Sequence, residues 1–137
     1  MNPIVVCQKL NNGVIEIPLS SACRCHIGLV SISIPSIVRN KSNISTLFVS
    51  CDQVDATVTN PKRLLRAFGY DRNQSRRWTA YEFKSILYHQ IDSSEKKLTL
   101  RIFDKDGYIQ PNDDKYNSSM VILELNMIPS KQAETYK

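Results

Sequence analysis

The hydrophobic positions of this chain fall into short alternating runs, each closed by Pro, Gly, Asn or Asp. In the stretch from Cys23 to Pro35, Val30, Ile32 and Ile34 lie on one side and Ser31 and Ser33 on the other, the spacing of a half-buried strand. Ile4 to Leu10 and Val14 to Ile17 flank Asn11-Asn12-Gly13, which predicts a hairpin because Asn and Gly take positive φ at low cost. Thr46, Phe48 and Ser50 alternate with Leu47, Val49 and Cys51. From Lys97 to Phe103 the pattern turns Leu98, Leu100 and Ile102 toward a core and Lys97, Thr99 and Arg101 toward water, and Asp106-Gly107 then predicts a turn into Tyr108-Ile109. Val121, Leu123, Leu125 and Met127 alternate with Ile122, Glu124 and Asn126.

The middle of the chain is less regular. Val54 to Val58 reads as a further strand, and Asn60-Pro61 opens either two turns of helix over Lys62 to Phe68 or a strand over Arg63 to Phe68. Gly69 to Arg77 reads as an exposed loop. Aromatic and β-branched content favours a strand over Lys84 to Gln90. Together these runs predict an all-β chain of about eight antiparallel strands with at most one short helix, a sandwich or barrel.

Composition adds bounds. A chain of 137 residues with 42% apolar and 23% charged residues is expected to form one globular domain, over 1–128, followed by a polar tail at 129–137. Neither a run of roughly 18 apolar residues nor a charged start with a long apolar centre is present, so neither a membrane span nor a secretory signal is expected. Without export, Cys7, Cys23, Cys25 and Cys51 read as reduced, buried thiols, and the Asn-x-Ser triplets starting at Asn40, Asn43, Asn73 and Asn117 read as unused.

The net charge of +5 is concentrated. Lys62, Arg63, Arg66, Arg72, Arg76 and Arg77 put six cations into 16 residues against one acid, Asp71, and Phe68, Tyr70 and Trp78 accompany them. Cations interleaved with aromatics suit single-stranded nucleic acid, where bases stack while phosphates pair. An acidic protein partner or a merely solvated loop accounts for the same composition.

Other chemistry is sparse. Cys23-Arg24-Cys25-His26 invites zinc, with Cys7 and Cys51 as further ligands, yet a Cys-x-Cys pair in a strand shares one face and leaves His26 on the other. Asp104-Lys105-Asp106-Gly107 fails as a calcium loop: with Gly107 sixth, the first position is Ile102 and the twelfth Asp113. His26 and His89 are the only histidines, and no nucleophile elbow, phosphate loop or dinucleotide fingerprint occurs. No enzyme activity and no cofactor or metal is expected.

The order of these motifs resembles a known family. Val14-Ile15-Glu16-Ile17-Pro18, then Cys25-His26-Ile27-Gly28-Leu29-Val30, then Leu98 to Ile109 with its Asp-Lys-Asp-Gly turn, then Val121 to Leu125, is similar over residues 13–128 to the minor capsid (penton) proteins of Polinton/Maverick elements and adintovirus-like viruses. The resemblance implies a single jelly-roll β-sandwich that forms a homopentamer. It further implies a place at the five-fold vertices of an icosahedral virion beside a major capsid protein, made in the host cytoplasm or nucleus. The alternative expectation is a β-sandwich module that binds single-stranded nucleic acid or an acidic protein through Lys62, Arg63, Arg66, Arg72, Arg76, Arg77 and Trp78.

Overall fold

A computed structural model describes residues 2–9, 13–20, 23–35, 44–71, 78–93, 96–105, 107–108 and 120–129. Its elements are β1 (Asn2–Lys9), β2 (Val14–Pro18), β3 (Cys23–Pro35), β4 (Ile44–Cys51), β5 (Leu64–Asp71), β6 (Trp78–Glu82), β7 (Tyr88–Ser93), β8 (Lys97–Asp104), β9 (Gly107–Tyr108) and β10 (Met120–Pro129). The protein is all-β, a sandwich of two antiparallel sheets. One sheet runs β1-β10-β3, with β6 and β7 both on the far flank of β3; the other runs β2-β8-β4-β5, with the short β9 also on β8.

The pairings nest. β4 pairs with β5, β3 with β6 and β7, β2 with β8, and β1 with β10, so the chain runs out and back as one long hairpin whose tip is β4–β5. Rolling that hairpin sends successive rungs to alternate sheets, and the contacts β10–β3 and β4–β8 close each sheet. β1 and β2 are therefore not the hairpin expected from Asn11-Asn12-Gly13. They belong to opposite sheets; Gly13, with φ 78°, makes a turn directly before β2, and Asn11 and Asn12 lie outside the described residues.

Burial follows from the pleat, which points alternate side chains inward. Ile27, Leu29, Ile32 and Ile34 of β3 and Val121, Leu123 and Leu125 of β10 meet Leu47, Val49 and Cys51 of β4 and Leu98, Leu100 and Ile102 of β8 in one core. Simple alternation puts Val30 beside Ile32, but it is only half-buried. The reason is a bulge: Leu125 pairs with Leu29 and Glu124 with Ser31, so Val30 is the extra residue and the inward phase shifts by one.

Thr99 and Arg101 also depart from the water-facing expectation. Past the end of β4 the chain itself continues the ladder on β8: the Asp52 amide donates to the Thr99 carbonyl at 3.0 Å, and the Thr99 amide donates to Gln53 Oε1 at 2.8 Å. Thr99 is thereby buried, and Arg101 is half-buried against Asp52.

The middle of the chain settles as strand, with no helix among the described residues. Lys62 to Phe68 does not form a helix because Arg63, at φ 58°, breaks the turn after Asn60-Pro61 and the chain then pairs with β4. Gly69 to Asp71 belongs to β5 rather than to a loop. Of Val54 to Val58 only Val54 makes a bridge, to Ile91, before Thr57 and Asn60 close a turn through mutual backbone bonds of 3.2 and 3.3 Å. Instead of one strand over Lys84 to Gln90 there are two, β6 and β7, separated by Phe83 to Leu87.

That excursion has a visible cause. It crosses the outer face of β3 at Gly28, where an added Cβ would lie 2.5 Å from Ile86 Cγ2 and 3.0 Å from the Leu87 carbonyl oxygen. Tyr88 covers the same site and its hydroxyl accepts a 3.3 Å bond from Asn126 Nδ2, which explains why an outward asparagine is buried.

Candidate functional site

The basic segment does not form one strip among the described residues. Lys62 and Arg63 are exposed in the turn before β5. The eight residues of β5, at about 3.3 Å each, then carry the chain roughly 25 Å before position 72 is reached. Arg66, within β5, is committed to the fold: its guanidinium sits 4.4 Å from the centroid of the Phe83 ring and donates to the Ser85 carbonyl. Phe68 is committed too, packing on Tyr81 and Phe83 at centroid distances of 4.7 and 5.4 Å. Trp78 opens β6 opposite Pro35. Arg72, Arg76 and Arg77 lie outside the described residues.

The cysteines also separate. Cys25 and Cys51 are buried in the core, from opposite sheets, and His26 is half-buried on the other face of β3 from Cys25. Cys7 is exposed rather than buried, because Ile4 and Val6 take the inward phase of β1. Cys23 begins β3, and its side chain is outside the described set. No group of three or more His, Cys, Asp or Glu positioned to hold a metal ion occurs among the described residues.

What the structure assembles instead is a cleft of about 520 Å³ along the side of the sandwich where β5 faces the start of β7. Its rim is the turn from Val54 to Asn60. Several of the polar groups lining it are turned onto the protein's own backbone. Asn60 acts as a miniature strand partner, its Nδ2 donating to the Leu64 carbonyl at 3.0 Å and its Oδ1 accepting from the Leu64 amide at 2.9 Å. His89 Nε2 bonds the Leu65 carbonyl at 3.0 Å. The rest of the lining mixes the apolar Val54, Leu64, Leu65, Ala67 and Leu87 with Asp55, Thr57, Thr59, Arg66, Tyr88 and Gln90.

Leu87 is 50% exposed, and Val58, at the tip of the rim turn, is 98% exposed. The opposite side also carries exposed apolar side chains. There β1 is the outermost strand, and Val5, 69% exposed, and Ile122 of β10, 40% exposed, share the outer face with Cys7. These four are the exposed large hydrophobic side chains among the described residues, two at each side.

Comparison with protein-family models, curated proteins and solved structures gives no match. Among the described residues no helix is long and apolar enough to cross a membrane.

The cleft was not legible from sequence. It depends on Phe83 to Leu87 leaving the sheet and on Asn60 folding back onto Leu64, and neither leaves a periodic signal. The available clue was Leu87, an apolar residue that lines the cleft and is half exposed.

Proposed function

We propose that the protein is a structural virion subunit, a penton-like capsid protein with a single jelly-roll fold that assembles with copies of itself. The observation that carries this reading is the nested pairing of β1 with β10, β2 with β8, β3 with β6 and β7, and β4 with β5. A rolled hairpin of four nested rungs, two in each sheet, is the wrapping expected of a jelly roll, an architecture used repeatedly for capsid shells. Exposed apolar side chains at both lateral sides accord with a subunit whose work is done by its edges. The commitment of Arg66 to Phe83 and Ser85 weighs against the nucleic-acid alternative, since it removes a central cation from that surface.

Native mass spectrometry of the purified chain at high micromolar concentration tests the reading. Five copies of the 15.7 kDa chain are expected; a strict monomer overturns self-assembly. A monomer that instead retains single-stranded oligonucleotides, with affinity falling steeply as salt rises, replaces it with the binding-module reading.

A further inference from the structure

We infer that the cleft between β5 and the start of β7 binds a neutral, polyhydroxylated ligand, a pyranose ring that is either a free sugar or the end of a glycan. This goes beyond the structural role above and does not depend on it. The volume of about 520 Å³ suits a small-molecule site. Asp55 and Arg66 bring one charge of each sign to the lining, which therefore selects no net charge in its occupant. Arg66 is moreover turned onto Phe83 and Ser85, so the cation of the cleft is not held out to an anion.

What the cleft offers is hydrogen-bonding capacity of both kinds beside apolar surface. Val54 bridges to Ile91, and the Asp55 amide donates to the Gln90 carbonyl at 3.1 Å. Asp55 and Gln90 are thus cross-strand neighbours, with Cβ atoms roughly 5 Å apart. Both are exposed, and neither side chain bonds to another described residue. Together they set a carboxylate acceptor next to an amide that donates and accepts. A hydroxyl does both as well, so neighbouring hydroxyls of one sugar satisfy the pair, whereas an ammonium only donates and leaves the Gln90 NH2 without an acceptor. His89 spends Nε2–H on the Leu65 carbonyl, which leaves Nδ1 to accept, and Thr59 adds a hydroxyl. Beside these lie the half-exposed Leu87 and the ring of Tyr88, whose own hydroxyl is held by Asn126. A pyranose has the matching division, hydroxyls around its rim and a C–H face that packs on apolar and aromatic surface.

The test is a titration of the isotopically labelled full chain, read by its amide shifts, with the methyl glycosides of mannose, galactose and glucose. At least one is expected to move the amides of Asp55, Tyr88 and Gln90 saturably, with a dissociation constant of roughly millimolar order. N-acetylneuraminic acid, tetramethylammonium and cyclohexanol stand for an anion, a cation and an apolar ring with one hydroxyl, and each is expected to bind about tenfold more weakly or not at all. Asp55→Ala and Gln90→Ala should each weaken the glycoside by about tenfold, and Val5→Ser on the opposite side should leave it unchanged. Thermal melts establish that the variants are folded, and Thr59→Val repeats the test if either alanine variant is not. No saturable shift with any of the glycosides, tighter binding of the anion, the cation or cyclohexanol, or binding that the cleft variants leave undiminished overturns the site. Retention of the chain on albumin carrying the bound sugar, competed by the methyl glycoside, upholds the site with a terminal glycan as its ligand; saturable binding without that retention upholds it with a free sugar.

Discussion

His89 ties one sheet to the other: from β7 its Nε2 lies 3.0 Å from the carbonyl oxygen of Leu65 on β5. A carbonyl only accepts, so the imidazole must donate through Nε2–H, which fixes the tautomer of the neutral ring. Beyond this bond the two strands belong to different sheets and share no backbone ladder. Replacing His89 by Ala is expected to cost about 1 kcal/mol, the net worth of one hydrogen bond, with Gln recovering part of it through its side-chain amide. Urea midpoints of the two variants check this, and equal midpoints would show that the bond contributes nothing.

Gly28 is required by close approach rather than by backbone angle. Its Cβ would meet Ile86 Cγ2 at 2.5 Å, the Leu87 carbonyl oxygen at 3.0 Å and Tyr88 Cδ1 at 3.1 Å. Gly28→Ala should therefore destabilise by roughly 1–3 kcal/mol through overpacking. Adding Ile86→Ala removes the nearest clash but not the carbonyl contact, so the double variant should regain some stability relative to the sum of the single changes, measured by a double-mutant cycle.

Asp52 and Arg101 form a two-bond fork, Nε to Oδ1 and Nη2 to Oδ2, both 2.9 Å, that clips the Asp52–Gln53 segment over β8. Their side chains are 38% and 35% exposed, so water and salt screen the pair and its coupling should be below about 1 kcal/mol. A double-mutant cycle with alanine at each position should give that coupling, and it should shrink between low and high salt. A coupling unchanged by salt would mean that packing, not charge, holds the segment.

Thiol reactivity should sort by face. Cys7 is exposed, while Cys25 and Cys51 are buried. In the native protein Cys7 should react with a thiol reagent in the fast phase, Cys25 and Cys51 only after denaturant is added, and Cys7→Ser should abolish its share of the fast phase without shifting the melting point.

The sequence exposed those parts of the fold that rest on period-two alternation. β4, β8 and β10 fall where Leu47-Phe48-Val49, Leu98 to Ile102 and Val121 to Leu125 place them, because a strand with one wet face must write that face into its sequence. Asp106-Gly107 likewise leads into the β8–β9 hairpin, in which Phe103 pairs with Tyr108. What alternation hides is where the chain leaves a ladder. Val30 is an insertion in the rhythm of β3, and Phe83 to Leu87 interrupts a segment whose composition reads as continuous strand. Asn11-Asn12-Gly13 promised a turn and Gly13 delivers one, but turn chemistry does not say whether the two strands stay in one sheet. For the candidate site the loss is greater: Lys62, Arg63 and Arg66 are near neighbours in sequence, yet Arg66 faces Phe83 while the other two remain in the preceding turn.

The placement of β10 has a consequence for how such a chain is made. β10 lies between β1 and β3, so the sheet that contains the first strand has a gap at its centre until residues 120–129 have left the ribosome. The hairpin tip β4–β5 can form early from local contacts, but Val6 and Ile32 wait for Leu123 to join them across the gap. Until then two long apolar strand edges stand open side by side, and a nascent chain is most exposed to pairing with a neighbouring copy during the interval just before synthesis reaches β10.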